Sequence, residues 1–382
     1  MRLGIDASNL RTGGGVTHLL ELLRAANPSA HGFSQVIVWG GKAALNQIED
    51  RPWLQKIFEP LLDRGLPYRV FWQRFKLSKL ARMAGCELLF VPGGSYAGDF
   101  HPVVTMSRNL LPFDWGEIAR YGLSWLTAKL SLLRLTQSVT FRRADGIIFL
   151  TQFAKEAVLR VTGPLRGRVA IVSHGVDDRF VNAPRSQMAL GEYSTTAPFR
   201  LLYVSIVDTY KHQWNVADAV SRLRADGIPL ALDLVGPAYG PALKRLQKVL
   251  QRVDPCGNFI RYRGPAPYHE LNHLYGAADA CVFASSCENM PNILLEGMAS
   301  GLPIVCSDRG PMPEVLGNAG VYLNPENIDS IEKAIQQLVA SPALRADMAR
   351  AAFERVGAYS WRRCADETFA FLAELATKFR GA

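Results

Sequence analysis

The chain has 382 residues, of which 48% are hydrophobic and 20% charged; that is too long for one ordinary core, suits two domains, and excludes a disordered protein. No apolar run reaches the roughly 18 residues of a membrane-spanning helix. The opening MRLGIDASNL lacks the apolar segment of a secretory leader, so a cytoplasmic location is expected. The net charge of +9 belongs to one half: residues 1–180 hold 23 Lys/Arg and 14 Asp/Glu, whereas residues 181–382 hold 20 of each.

In chain order, RLGIDA predicts a first strand, followed by the polar turn SNLRTGGG and a helix over Val16 to Ala26. Further strands are predicted at QVIVWG, ELLFVPGG, PVVTMS and GIIFLT, most of them separated by helical patterns. Nearly continuous apolar strands alternating with helices indicate a parallel sheet covered on both faces. The segment Val181 to Pro198, VNAPRSQMALGEYSTTAP, breaks the rhythm and reads as a linker. The alternation then restarts with RLLYVS, LALDLVG, FIRYRG, ACVFAS and PIVCSD, with helices over Val216 to Ala225, Pro241 to Val253 and Tyr268 to Ala277. A closing amphipathic helix begins after Ser360, a suitable N-cap. The resulting division is an N-terminal domain over 1–183, a linker over 184–198, a second domain over 199–359, and a helix over 360–382 that can pack back on the first domain. Two doubly wound domains facing across a cleft would place ligands at the carboxyl ends of their strands.

The basic excess concentrates in Arg69 to Arg82 and Arg120 to Arg143, each with five cations and no acid, interleaved with aromatics and leucines. Such stretches suit either an anionic membrane surface or packed helices with a solvated basic face. No nucleic-acid-binding module accompanies them, so a nucleic-acid partner is not expected. The six cysteines show no C-x-x-C pairing and read as reduced core residues, neither zinc ligands nor disulfides.

The segment CENMPNILLEGMASGLPIVCSDRG, Cys287 to Gly310, places Glu288 and Glu296 eight positions apart. ACVFAS supplies a strand, Ser285 to Met290 a turn, and Pro291 the first position of a helix running to Ser300, closed by Gly301 and Pro303. The helix start offers amides near Met290 to Ile293, an anion site. A carboxylate beside a phosphate would be repelled. The two acids therefore suit neutral hydroxyls at either end of a bound diphosphate, as in a sugar joined through diphosphate to a ribose. Alone, two acids at this spacing would read as a solvated pair of helix acids.

Together with GGGVTH (Gly13 to His18), SHGVDDRF (Ser173 to Phe180), YKHQWNV (Tyr210 to Val216) and the closing YSWRRCADET, this segment resembles the retaining glycosyltransferases of family 4, with the E-x7-E motif and the GT-B fold. The resemblance covers nearly the whole chain. It implies that Glu288 holds hydroxyls of the donor sugar and Glu296 the ribose, with the amides of Asn289, Met290, Pro291's neighbour Asn292, and Ile293 around the phosphates. It implies that Lys211 neutralises the diphosphate as the glycosidic bond breaks. Gly13, Gly14 and Gly15 would let the backbone approach a phosphate or the acceptor, or form a plain strand-to-helix turn. Two positions depart from the family pattern. Ile206 stands where many members carry an arginine, and Ser107, Arg108 and Asn109 stand where many carry a histidine. Arg108 is then a candidate for the missing charge, Asn109 for sugar or acceptor hydroxyls, and His174 is the nearest imidazole.

No D-x-D occurs, which argues against a metal-held diphosphate; neither G-x-x-x-x-G-K-[ST] nor G-x-G-x-x-G is present. The expectation is a metal-independent retaining transferase with no cofactor. It would use a UDP- or GDP-linked sugar and a glycan or lipid-linked acceptor in O-antigen-like polysaccharide or lipopolysaccharide synthesis, at the inner face of the cytoplasmic membrane. The rivals are a non-catalytic sugar-nucleotide-binding subunit and a GT-B fold epimerase.

Overall fold

In the computed structural model, residues 1–11 and 13–381 are described; Thr12 of the glycine-rich turn and Ala382 at the end of the expected closing helix lie outside the described residues. The chain divides into two units. The first comprises Met1–Ile118, Leu123–Gly175 and Ser360–Ala382; the second comprises Ala119–Gly122 and Val176–Tyr359.

The first unit is built on β1 (Arg2–Asp6), β2 (Gln35–Gly40), β3 (Leu54–Phe58), β4 (Leu88–Val91), β5 (Val103–Met106), β6 (Gly146–Phe149) and β7 (Arg168–Ile171). They form one parallel sheet in the order β3-β2-β1-β4-β5-β6-β7. The central strands are fully buried, as their unbroken apolar runs require. Trp39, Trp72, Phe113, Phe141 and Phe149 fill the layer between sheet and helices. Phe113 and Phe141 stack at 5.8 Å, and such aromatic contacts dominate core energetics. The closing helix, Trp361–Arg380, starts at Ser360, whose side chain accepts from Arg363 N at 3.2 Å. It packs on the helix Gly14–Ala25 and on β4.

The second unit carries β8 (Phe199–Val204), β9 (Leu230–Val235), β10 (Ile260–Gly264), β11 (Ala280–Phe283), β12 (Ile304–Ser307) and β13 (Val321–Leu323). They too are parallel, in the order β10-β9-β8-β11-β12-β13. Each sheet therefore reverses its winding once, between β1 and β4 in the first and between β8 and β11 in the second. At such a reversal the loops leaving the two strands diverge and open a crevice at their carboxyl ends.

Residues 176–198 pack on the second unit. Asn182 N donates to Ala299 O at 2.9 Å. Arg345, with 0% of its surface exposed, donates to the carbonyls of Met188, Leu338 and Val339 and to Gln187 Oε1. One guanidinium thus ties this segment to the end of the helix Ile328–Ala340. Gly301, at φ 63°, leaves room for the same segment, since a Cβ there would lie 2.5 Å from Asn182 O.

Candidate active site

The residues singled out in the second unit converge on the β8/β11 crevice. Lys211 closes the short turn Thr209–Lys211 after β8, and Glu288 lies in the loop after β11. Lys211 Nζ is hydrogen-bonded to Glu288 Oε1, with the lysine side chain 4% exposed and the glutamate 15%. The rings of Tyr210 and Phe283 flank the ammonium at 5.0 and 5.1 Å, a placement that favours a cation through their π faces. The backbone is fixed from both sides: Tyr203 OH donates to Lys211 O at 2.6 Å, and Ser286 N donates to Tyr210 O at 2.8 Å. His212 follows at φ 50°, a left-handed conformation unusual outside glycine, and its Nε2 lies 3.0 Å from Ser286 Oγ. Burial, with Arg120 adding to it, pushes the His212 imidazole down to about 4.

The helix after Glu288 runs over Asn292–Ala299 with Pro291 as its N-cap, so it starts one position later than the expectation that Pro291 is its first residue and ends one position before Ser300. The cause is Pro291's ψ of 89°, outside the helical range, while its carbonyl already accepts from Leu294 N at 3.0 Å. The amides of Asn292 and Ile293 open the first turn, where a helix supplies no partner of its own. Asn292 Oδ1 is buried there with no hydrogen-bond partner among the described residues.

Glu296 faces the other way along this helix, 6% exposed, beneath Tyr268 and Tyr275. Tyr275 OH donates to its Oε2 at 3.1 Å and Tyr268 OH to its Oε1 at 3.4 Å. Burial raises the carboxyl from 4.5 to about 7, against the lowering effect of both tyrosines. These two tyrosines were not singled out from the sequence. Their spacing of seven in YHELNHLY, two helical turns, is the signal that could have found them.

Ile206, at the position of the missing family arginine, brings no charge; its carbonyl accepts from Gln213 Nε2 at 2.8 Å. Nearby, Asp208 accepts from Tyr121 OH at 2.9 Å and from Thr209 N at 2.7 Å, and burial raises its carboxyl above 3.8.

The other singled-out residues belong to the first unit. After β1, beside that sheet's own reversal, Gly13 at φ 70° is the N-cap of the helix Gly14–Ala25, which Gly14 and Gly15 open two positions before the expected start at Val16. Arg108 donates to Gly15 O at 2.9 Å and also to Gly14 O, so its guanidinium braces this first turn. Burial lowers it to about 10. Asn109 Oδ1 accepts from Leu111 N at 3.1 Å. His174 is buried with Nδ1 2.7 Å from His18 Nδ1, and the pair packs against Trp361. Burial lowers the His174 imidazole to about 3 and His18 well below its ordinary value. The two basic stretches expose apolar side chains among their cations, among them Phe75 at 66% and Trp125 at 83%. Among the described residues no helix is long and apolar enough to cross a membrane, and no three His, Cys, Asp or Glu gather as metal ligands.

Two parallel-sheet α/β domains, each with a ligand crevice at its winding reversal, define the two-Rossmann GT-B fold. Residues 191–355 match the family described as "Glycosyl transferases group 1". The chain is 34% identical to O-antigen chain mannosyltransferase B of Escherichia coli over 110 residues, 29% of each protein. It is 26% identical to the glycogen synthase of Mycobacterium tuberculosis H37Rv over 66% of this chain and 59% of that one. The chain thus spans less than two thirds of the length of these curated relatives. Among solved structures, sucrose-phosphate synthase from Thermosynechococcus elongatus superposes with a TM-score of 0.77 at 19% identity, covering 100% of both chains. HepE from Anabaena in complex with UDP and glucose does so at 0.67 and 15% identity, covering 97% of this chain and 100% of that one.

Proposed function

We propose that the chain is a retaining glycosyltransferase that moves a sugar from a UDP- or GDP-linked donor without a metal or other cofactor. The observation that carries this reading is the meeting of Lys211, Glu288 and the first turn of the helix Asn292–Ala299 at the winding reversal of a group 1 glycosyl transferase domain. An ammonium and two helix amides suit a diphosphate, while carboxylates at either end suit the hydroxyls of a sugar and a ribose. Glu288 holds donor-sugar hydroxyls, and Glu296 accepts from the ribose in place of the longer Tyr268 contact. As the bond between the anomeric carbon and the phosphate oxygen breaks, its electron pair leaves on the diphosphate, and Lys211 stabilises that charge. The acceptor oxygen bonds to the same face of the anomeric carbon, and its proton passes to a phosphate oxygen of the departing group. Water-poor surroundings strengthen the lysine's effect, because charge attraction grows as the dielectric falls.

The acceptor is a glycan or lipid-linked saccharide of a cell-surface polysaccharide, a reading supported by the likeness to an O-antigen chain mannosyltransferase. The cations and exposed aromatics of the two basic stretches support docking at the cytoplasmic membrane face. The test is transfer from a panel of UDP- and GDP-sugars to saccharide acceptors, with the anomeric configuration of the product read by NMR. Retained configuration and a fall in turnover of about 100-fold or more in Lys211→Ala are expected, because leaving-group stabilisation acts in the transition state. Inverted product, or Lys211→Ala within a few-fold of wild type, overturns the mechanism.

A further inference from the structure

The first unit holds a cavity of about 700 Å³ whose wall includes none of the residues of the candidate site. Its wall includes Val103, which opens β5, Asp145, which precedes β6, and Gly167, which precedes β7. In a parallel sheet these amino ends lie at the opposite edge from Gly13–Gly15, which follow β1. The cavity is therefore separate from the crevice at the sheet's winding reversal.

Six cations line it: Arg74, Arg142, Arg143, Arg166, Arg168 and Lys378. They come from four distant segments, and two of those are the basic stretches noted in the sequence. Arg74 belongs to the first stretch, and Arg142 and Arg143 end the helix Trp125–Arg143 of the second. Arg166 and Arg168 flank Gly167, and Lys378 comes from the closing helix.

The carboxylates in the wall, Asp99 and Asp145, are already engaged. Asp145 Oδ2 lies 2.7 Å from His101 Nδ1 and accepts from Val103 N at 2.8 Å, while Asp99 lies 3.8 Å from Arg82 Nη2. Two of the cations are also occupied, since Arg168 pairs with Glu374 and Arg142 Nε donates to Thr162 O at 2.9 Å. That leaves Arg74, Arg143, Arg166 and Lys378 with no ion pair among the described residues. All six side chains are solvent-exposed, but the fold gathers them around one hollow instead of spreading them over convex surface, so their potentials add there and favour an anion.

The rest of the wall narrows the ligand. Tyr96, Leu375 and the half-exposed Phe379 add apolar surface. The volume falls in the range of pockets that hold organic ligands rather than single ions. Guanidinium forks match the geometry of phosphate oxygens. We propose that this cavity binds a phosphate or diphosphate group carried by an organic ligand, with Arg74, Arg143, Arg166 and Lys378 on the oxygens and the apolar wall against the attached group. Such a group can belong to a soluble phosphoester or to a lipid headgroup.

Inorganic pyrophosphate is the probe, titrated calorimetrically into Lys211→Ala protein, so that the lysine of the candidate active site does not contribute. Adding Arg143→Glu and Arg166→Glu to that background is expected to weaken binding at least tenfold, and Arg143→Lys with Arg166→Lys, which keeps the charge but not the fork, to weaken it less. The same comparison in the wild-type background guards against misfolding of Lys211→Ala. Because only wall residues differ between the compared proteins, the outcome is independent of whether the proposed transfer reaction occurs. Equal pyrophosphate affinity with and without the charge reversals, in both backgrounds, overturns the proposal. Co-sedimentation with phosphatidylglycerol and phosphatidylcholine vesicles then separates the sources. Loss of anionic-vesicle binding together with pyrophosphate binding assigns a lipid headgroup, and loss of pyrophosphate binding alone assigns a soluble ligand.

Discussion

Glu296→Gln separates what the fold tolerates from what a ribose needs. The carboxyl is buried and raised from 4.5 to about 7, so at pH 8 the native protein holds a charge that the unfolded chain keeps in water more cheaply. That difference destabilises the native state by on the order of 3 kcal/mol at pH 8. The sign follows from proton counts. Between 4.5 and about 7 the folded protein binds the extra proton, so stability falls as pH rises through this window and is fullest below it. Glutamine removes the titration and sacrifices part of one tyrosine hydrogen bond, worth about 1 kcal/mol. The variant should therefore be more stable than wild type at pH 8 by roughly 2 kcal/mol, a rise of about 4–8 °C for a unit of this size. On going to pH 5 the difference should fall by about 2.5 kcal/mol, leaving the variant level with or slightly less stable than wild type. Thermal melts at the two pH values measure this, with hydrogen exchange across Asn292–Ala299 reporting the second unit alone. Nucleoside diphosphate affinity should move oppositely, falling tenfold or more in the variant at pH 8, since a lost charged hydrogen bond costs about 1.5–3 kcal/mol. A variant no more stable than wild type at pH 8, or an advantage that grows toward pH 5, refutes the burial argument. Unchanged nucleotide affinity refutes the ribose assignment.

Glu288→Gln should impair transfer while leaving the affinity for free nucleoside diphosphate within about twofold, because Glu288 is assigned to the sugar; calorimetry that shows nucleotide binding abolished would mean the site is oriented the other way. Transfer should persist in excess EDTA, as expected of a chain without D-x-D, and activity that is lost there and restored by Mg²⁺ or Mn²⁺ would contradict the cationic role given to Lys211. Arg345→Ala should lower the stability of the second unit by about 3 kcal/mol or more in denaturant unfolding, because it leaves the buried carbonyls of Leu338 and Val339 without their donor and frees Met188 O.

The parallel architecture was legible because buried strands carry unbroken apolar runs. Ten of the thirteen strands fall on the segments named from the sequence. The three that escaped, Leu54–Phe58, Arg168–Ile171 and Val321–Leu323, all lie at sheet edges. The first two show mostly exposed or half-exposed positions, and the third is only three residues long. An edge strand meets solvent on one side and needs no continuous apolar run, so its pattern merges with loop. For the basic stretches, composition likewise cannot say which cations turn inward. Arg69 Nη1 lies 3.3 Å from both Ser8 O and Asn9 Oδ1, and Arg134 Nη1 donates to Pro112 O at 3.2 Å.

The candidate site was legible to the extent that its groups sit on loops leaving adjacent strands, where a short motif encodes position directly. What the sequence could not show is which groups answer one another. Lys211 and Glu288 are 77 positions apart, yet pairing of β8 with β11 brings their loops together. Their ion pair gives the site its own counter-ions: a buried ammonium and a carboxylate, each satisfied by the other. A donor with diphosphate at one end and hydroxyls at the other can relieve both at once, offering an anion to Lys211 and neutral donors to Glu288. A free sugar can answer only the carboxylate, and inorganic phosphate only the ammonium. Either would leave one buried charge without its partner, at a cost of several kcal/mol. On the proposed function, this pairing would therefore favour the intact nucleotide sugar over either fragment, even with Ile206 in place of an arginine.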